Sequence, residues 1–376
     1  MKVLVLDTIH GGAVLAEALL RNGDDVDAVD VYRGNTMAFE DAEKQGYDAV
    51  TAPVHLNPDC PLLSLSAPHY THHQMTAKLL KSCRAKLIEI TGARGKTTTA
   101  FALAEVLPGK VILHTSTGTW LYPEKKLLFK KSITPASLLF AAKAAETERS
   151  DWIVAEESLG VCGVGFGILT SDKDYPIAAG KKSALSAKLE SLSECKTVLA
   201  PNSCRKEGWH SPEDFVRIEE NRFITESNGS FENPLAEIPA YRDALQTAAA
   251  AAVLLNLDVS PLSDFTGCEG RMLYSEIDGI PFLDNANSGT TPESIRDAAA
   301  YLKTKTAKRT ILVTGEGAHA VCEGIDDEKL KAVIDEINPA DVIYAEGKSF
   351  DELKSEALTR AKKLDAAVLM CVKTWR

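Results

Sequence analysis

The stretch LIEITGARGKTTT, residues 87–99, decides how the rest of the chain is read. Leu87, Ile88 and Ile90 form a short apolar run of strand type, and Gly92 and Gly95 then break the chain. Lys96, Thr97, Thr98 and Thr99 open an apolar helical pattern that continues to Leu107. A strand, a glycine loop and a helix beginning Lys-Thr make a phosphate cradle. The glycines let backbone N–H groups turn toward an anion, the helix N-terminus adds partial positive charge, and the lysine adds a full one. Thr97, directly after the lysine, offers a hydroxyl to a magnesium ion. The spacing is shorter than that of the common eight-residue phosphate loop, which places a glycine where Ile90 stands. The working segment is Gly92-Ala93-Arg94-Gly95-Lys96-Thr97-Thr98. A glycine turn before a polar helix start is the plainer alternative, and the flanking strand and helix weigh against it. The segment reads as an ATP site.

Outward from this loop, 376 residues with 45% hydrophobic content give two or three domains with ordinary cores. A net charge of −11 gives no basis for nucleic acid or an anionic membrane as partner. The opening MKVLVLD reaches an aspartate after a five-residue strand-like run, which is not expected of a secretory signal. The longest apolar stretch, residues 248–255, is too short to span a bilayer. Cysteines stand at 60, 83, 162, 195, 204, 268, 322 and 371 with no C-x-x-C, so they read as free or buried thiols in a reducing cytoplasm.

Residues 1–85 are expected to form a small Rossmann-like unit: strand 3–6, a turn at His10-Gly11-Gly12, helix 13–20, strand 26–32 and helix 39–45. It lacks G-x-G-x-x-G, so no dinucleotide is indicated. Five of the eight histidines lie here, at 10, 55, 69, 72 and 73; each alone reads as an ordinary histidine, and their clustering raises a ligand role. Residues 86–269 alternate strands (110–114, 152–155, 167–174, 197–200) with helices (136–145, 183–192, 241–256) around the phosphate loop. Strand 152–155 runs into Glu156-Glu157-Ser158, and an acidic residue at the end of a parallel strand faces the phosphate-loop edge, where it holds magnesium. Two solvated loop glutamates are the alternative. Residues 270–376 are expected to restart the alternation with a hairpin around Asp278-Gly279, strands 310–314, 342–345 and 366–372, and helices 328–337 and 350–364, ending at Lys373-Thr374-Trp375-Arg376 with no disordered tail expected. The expected class is α/β in three domains, the central one with a mostly parallel sheet.

With these residues in view the chain resembles the Mur ligase family and its folylpolyglutamate synthetase relatives, ATP-dependent and ADP-forming. The family's T-G-T-N-G-K-T-T loop corresponds to residues 91–98, and its E-x-S to Glu156-Glu157-Ser158, which makes Glu156 the implied magnesium ligand. The A-K-L that carries the family's carbamylated lysine corresponds to Ala187-Lys188-Leu189. Its glycine-arginine corresponds to Gly270-Arg271, with the arginine on nucleotide phosphates, and its following aspartate to Asp284, on the ribose. There are departures. Thr170-Ser171-Asp172-Lys173 has a lysine where the family has a metal-binding histidine. The asparagine-rich adenine motif becomes Arg242-Asp243-Ala244-Leu245-Gln246, leaving Gln246 as the candidate adenine contact, and the short first domain shows no uridine-nucleotide pattern.

The opening Asp7-Thr8-Ile9-His10-Gly11-Gly12 resembles the branch of the family in methanogenic archaea that finishes the nickel tetrapyrrole coenzyme F(430). This implies a nickel tetrapyrrole carboxylic acid as substrate, met by His10, Gly11 and Gly12, and closure of its last carbocyclic ring through an acyl phosphate. Lys96, Lys188 and Arg271 would be catalytic, with Thr97, Glu156 and Lys188 on the metal. Two other readings stand beside this one: an amide-forming ligase that adds an amino acid to a carboxylate, and a nucleotide-binding regulatory protein that has lost ligation. The intact Lys96, Thr97, Glu156, Lys188 and Arg271 argue against the second.

Overall fold

Strand β1 (Lys2–Leu6) is buried along nearly its whole length because helices cover both faces of its sheet. Val3 and Val5 pack with Leu15 and Leu19 of α1 (Gly12–Arg21), while Leu4 and Leu6 pack on the other face. The unit continues through β2 (Asp25–Val29), α2 (Phe39–Glu43), β3 (Ala49–Ala52), β4 (His69–Thr71) and α3 (His72–Leu79). The sheet order is β2-β1-β3-β4, and every pairing is parallel. The first two strands stand where the sequence places them. β3 and β4, four and three residues long, were not expected.

This computed structural model describes residues 1–34, 36–317 and 324–374. Cys322, Trp375 and Arg376 lie outside the described residues, and the seven described cysteines are free thiols. Contacts divide the chain into two units, Met1–Phe265 and Thr266–Arg376.

The first unit carries a second sheet. It is built from β5 (Lys86–Thr91), α4 (Lys96–Val106), β6 (Val111–Thr115), β7 (Gly118–Tyr122), β8 (Lys126–Phe129), α5 (Leu138–Glu148), β9 (Trp152–Glu156) and β10 (Phe166–Leu169). A short hairpin, β11 (Pro176–Ile177) and β12 (Lys182–Ser183), leads into α6 (Ala184–Leu192) and β13 (Thr197–Leu199). The order is β13-β10-β5-β9-β6-β7-β8, with only β7 and β8 antiparallel to their neighbours. A meander of β14 (Val216–Glu219), β15 (Arg222–Thr225) and β16 (Ser230–Glu232) precedes α7 (Pro239–Leu254). Ala248, Ala249, Ala250, Ala251 and Ala252 of α7 are completely buried, and α7 packs against α4. Beyond the expected elements, the sheet gains β7 and β8 and the unit gains the meander.

The second unit is a five-stranded sheet of order β17-β18-β21-β19-β20: β17 (Leu273–Ile277), β18 (Ile280–Asp284), β19 (Thr310–Glu316), β20 (Asp341–Tyr344) and β21 (Ala367–Lys373). Only the β17–β18 pair, the hairpin around Asp278-Gly279, is antiparallel. Helices α8 (Pro292–Lys305) and α9 (Asp327–Ile337) cover one face, and α10 (Phe350–Leu364) covers the other. The architecture is the mixed α/β, parallel-rich class that the sequence implies. No helix among the described residues is long and apolar enough to cross a membrane.

Candidate active site

β5 delivers the chain into the glycine loop, and two glycines make the loop possible. Gly92 has φ 150°, and a Cβ there would collide with Thr170 Oγ1; Gly95, at φ 83°, caps α4 in the left-handed region. Thr170, just past β10, braces the loop: its hydroxyl donates to Thr91 O at 3.2 Å or Arg94 O at 2.5 Å. The first N–H groups of α4 have no partner within the helix and face the loop end of the sheet.

Lys96 Nζ donates to Gly92 O at 3.0 Å and lies 3.6 Å from Glu156 Oε1. Thr97 Oγ1 donates to Glu156 Oε2 at 2.8 Å, and the same oxygen accepts the Ser116 N–H at 3.1 Å. Sheet register produces this meeting. β9 lies parallel to β5 with Ile90 opposite Glu156, so the glutamate leaves its strand beside the loop.

Glu157 is the next residue, and its buried side chain belongs to a different cluster with Glu89 and Cys162. Glu89 accepts N–H bonds from Gly163, Val164 and Gly165 at 2.9, 2.7 and 2.7 Å. Burial first, and then the charge of Glu89, raise the Glu157 carboxyl well above the usual range, so it stays protonated. The Cys162 thiol donates to Glu157 Oε2 at 3.2 Å.

Lys188 is buried on α6, with Nζ 4.5 Å over the Tyr175 ring and 3.4 Å from its hydroxyl. Burial, then repulsion from Lys96, bring its pKa down to about 8 against a weaker pull from Asp174. The lysine that the resemblance marks for carbamylation therefore sits within the field of the phosphate-loop lysine, with a substantial neutral fraction near pH 8. Carbon dioxide adds only to a neutral amine.

The remaining expected residues are placed as follows. Arg94 and Lys173 are exposed, Ala93 is half-buried, and Thr98 is buried in the first turn of α4. Gln246 donates from Nε2 to Val216 O at 3.0 Å, joining α7 to β14. In the second unit, Asp284 accepts N–H bonds from Gly270 at 3.0 Å and Ala286 at 3.1 Å, while Asn287 donates to Gly270 O at 2.7 Å. Gly270, Arg271 and Asp284 thus form one corner at the end of β18. His10 lies on the turn between β1 and α1, its Nδ1 2.6 Å from Asp7 Oδ2; Gly11 faces Thr134, and Gly12 packs on the Asp7 carbonyl. Sequence reasoning gave no role to Ser116, Thr170 or Asp7, and it marked His55 only as one of the five clustered histidines. The first two were signalled only by polar residues at strand exits.

Residues 274–375 match the family model described as coenzyme F430 synthetase CfbE, C-terminal domain. Over its full length the chain is 31% identical to the coenzyme F(430) synthetase of Methanosarcina acetivorans, with 100% of this chain and 99% of that protein covered. The chain belongs to the coenzyme F(430) synthetase family. The protein of the same name from Methanocaldococcus jannaschii is 29% identical over 218 residues, 50% of this chain and 49% of that one. Among solved structures, UDP-N-acetylmuramoylalanyl-D-glutamyl-2,6-diaminopimelate--D-alanyl-D-alanyl ligase from Acinetobacter baumannii superposes with a TM-score of 0.55 at 13% identity, covering 88% of this chain and 82% of that one. The fold of this F(430) synthetase family member is that of the Mur ligases, and the chain is an ATP-dependent ligase.

Proposed function

We propose that this family member activates a carboxylate of a nickel tetrapyrrole seco-acid as an acyl phosphate, and that a carbon of the same molecule attacks it to close the last carbocyclic ring of coenzyme F(430). The observation that carries the reading is the meeting of Lys96, Thr97, Glu156 and the buried Lys188 in a chain alike along its full length to a protein named for that product.

A carboxylate resists attack because a second negative charge would build on it, and phosphorylation converts one of its oxygens into a leaving group. The loop suits a triphosphate: a side chain at Gly92 would fill the cradle, and Lys96 stands at its edge. Thr97 and Glu156 offer hydroxyl and carboxylate oxygens 2.8 Å apart, the hard donor set of Mg2+, and these two residues would hold it. An ion bound there would supply neutralisation of charge developing on the transferred phosphoryl group. Lys96 would add to that neutralisation, and Arg271 is the proposed residue for the nucleotide phosphates. Carbamylated Lys188 would carry carboxylate-like oxygens for a metal. Asp284 and Gln246 would meet the nucleoside, while His10, Gly11 and Gly12 would meet the substrate.

In this reading residues 1–85 form the substrate domain, 86–269 the ATP domain and 270–376 the C-terminal Mur ligase domain, and the enzyme works in the cytoplasm. The test is anaerobic incubation with ATP, Mg2+ and the nickel seco-acid, followed by mass and absorbance. The expected product equals substrate minus one water, with one ADP per turnover and no amine required. An incorporated amino acid would replace ring closure with amide ligation.

A further inference from the structure

The four parallel strands of the first sheet end at one edge, and that edge gathers ionisable side chains: Asp7 after β1, Asp30 after β2, His55 after β3 and His72 after β4. Asp7 is completely buried and holds a left-handed backbone, φ 71°, a conformation that concentrates at functional positions in non-glycine residues. Its Oδ1 accepts the N–H groups of Ile9 at 2.8 Å and His10 at 3.3 Å; its Oδ2 meets His10 Nδ1 at 2.6 Å. The imidazole is thus oriented with Nδ1–H toward the carboxylate. Its Nε2 has no hydrogen-bond partner among the described residues, and the side chain is 30% exposed.

This turn lies against the central sheet's working edge. Gly11 faces Thr134, with room of only 2.6 Å between its Cβ position and the threonine hydroxyl. The neighbouring Ile133 carbonyl accepts the Ser158 N–H at 3.0 Å, and Ser158 stands two residues beyond Glu156. His10 is therefore tied, through one loop, to the strand exit that carries the proposed magnesium ligand.

We infer that Asp7 and His10 form an acid–base dyad, in which His10 Nε2 removes the proton from the attacking substrate carbon as the carbon–carbon bond forms. The inference rests on the ring-closing reading above. The step balances: the C–H electron pair forms the new bond to the acyl carbon, the acyl C–O bond to phosphate breaks, inorganic phosphate leaves with the electron pair of that C–O bond, and the proton goes to Nε2. Asp7 acts as a positioning residue, fixing the tautomer and stabilising the imidazolium.

The groups facing His10 are few and identified. Asp7 raises its pKa, with Asp30 adding weakly, while Arg33 and burial oppose. His55 stacks edge-on at 4.6 Å and Tyr32 at 5.3 Å. His55 is kept neutral by burial, its pKa brought down to about 4, and Nε2 of His55 stands 4.0 Å from Asp7 Oδ2. The base form of His10 therefore fills as pH rises, giving the rate a rising limb.

The test uses the full chain with ATP, Mg2+ and the nickel seco-acid, with and without hydroxylamine. His10→Gln should lower the ring-closed product by about 10²–10⁴-fold. At saturating substrate the ratio of ring-closed product to hydroxamate trapped from the acyl phosphate should fall by the same factor, because weaker substrate binding lowers both alike and only ring closure uses this proton transfer. Asp7→Asn tolerates the left-handed backbone but turns an amide toward Nδ1; the plateau should fall and the rising limb should move to lower pH. Normal ring closure by folded His10→Gln overturns the dyad, as does parallel loss of hydroxamate and product. A parent enzyme that forms hydroxamate but never the ring-closed product overturns the ring-closing reading, and the dyad with it. Because Asp7, His10 and His55 place donor atoms within 4.8 Å of one another, Co2+ alone is the remaining probe. Equimolar binding that both His10→Gln and His55→Ala abolish would assign the trio to a metal and overturn the base.

Discussion

Two turns of the first unit share a backbone and differ in charge. β1 passes through Asp7-Thr8-Ile9-His10-Gly11 into α1, and β5 passes through Gly92-Ala93-Arg94-Gly95 into α4. Each helix is capped by a left-handed glycine, Gly11 at φ 93° and Gly95 at φ 83°. At β5 the residue after the cap is Lys96, and the loop offers cations and backbone amides to an anion. At β1 the buried Asp7 carboxylate has already taken the amides of Ile9 and His10. A second phosphate there would meet a fixed negative charge in place of free N–H groups. Strand–glycine–helix geometry prepares a ligand edge; the side chains set inside the turn choose the ligand's charge.

Removing the positive charge from the β5 turn should give the largest effect. Lys96→Ala is expected to lower ADP formation by about 10³-fold, the scale of losing a preorganised electrostatic group in the transition state. The lysine is half-buried at the rim of a cradle, so thermal unfolding should be nearly unchanged. A folded variant with near-normal turnover would remove the contrast between the two turns.

Lys188 extends the same contrast, because burial first, and then the charge of Lys96, depress its pKa. Carbamylation needs the neutral amine, whose fraction falls as pH drops below about 8. Activity should therefore decline below that pH and after removal of carbon dioxide, and bicarbonate should restore it. Lys188→Ala should lose about 10²-fold or more, with partial rescue by acetate as a substitute oxygen ligand. Insensitivity to bicarbonate together with full activity of the alanine variant would leave Lys188 as a buried structural lysine.

The β5 turn was legible because its whole signal lies in thirteen consecutive residues. Its support was not. Thr170 reaches Thr91 across 79 residues of chain, and Ser116 reaches Thr97 across 19. Such partners are fixed by strand order, which single-sequence patterns do not supply. The same holds for the dyad edge: Asp7 and His55 meet only because β3 pairs with β1, and β3 is too short to announce itself. Other omissions had local signals. Asn228-Gly229 marks the β15–β16 hairpin, and Thr291 with Ser294 forms the capping box of α8. Gly270-Arg271 and Asp284 are separated by 14 residues with no local pattern joining them, and the resemblance alone linked them. Their hydrogen-bonded corner in the second unit has its physical cause in the end of β18.

Glycine substitutions probe the backbone half of the comparison. Gly12→Ala would drive a methyl group into the Asp7 carbonyl, and neither backbone can yield without moving β1 or α1. A loss of about 1–3 kcal/mol is expected, measured by denaturant unfolding. Gly95→Ala meets nothing closer than 3.5 Å and carries only the left-handed backbone cost, about 1–2 kcal/mol. The two variants should differ more in activity than in stability, with Gly95→Ala the greater loss in ADP formation. Equal kinetic effects would mean that both turns contact the nucleotide.

The smallest effect should come from the residue beside the magnesium position. Glu156 and Glu157 are sequence neighbours with different environments. Glu156 joins Thr97, Ser116 and Lys96, whereas Glu157 is buried with Glu89 and held protonated by burial and that neighbour's charge. A protonated carboxyl and a carboxamide both donate and accept, so Glu157→Gln changes little that the site uses. Its turnover should stay within about threefold of the parent, while Glu156→Gln, which deletes a charge facing the loop, should lose about 10²-fold or more. The stability of Glu157→Gln should also be nearly flat, since no charge is removed from the buried pair. If Glu157→Gln instead lost activity as severely as Glu156→Gln, the adjacent carboxylates would share one catalytic role, and the strand alternation that separates them would not govern the chemistry.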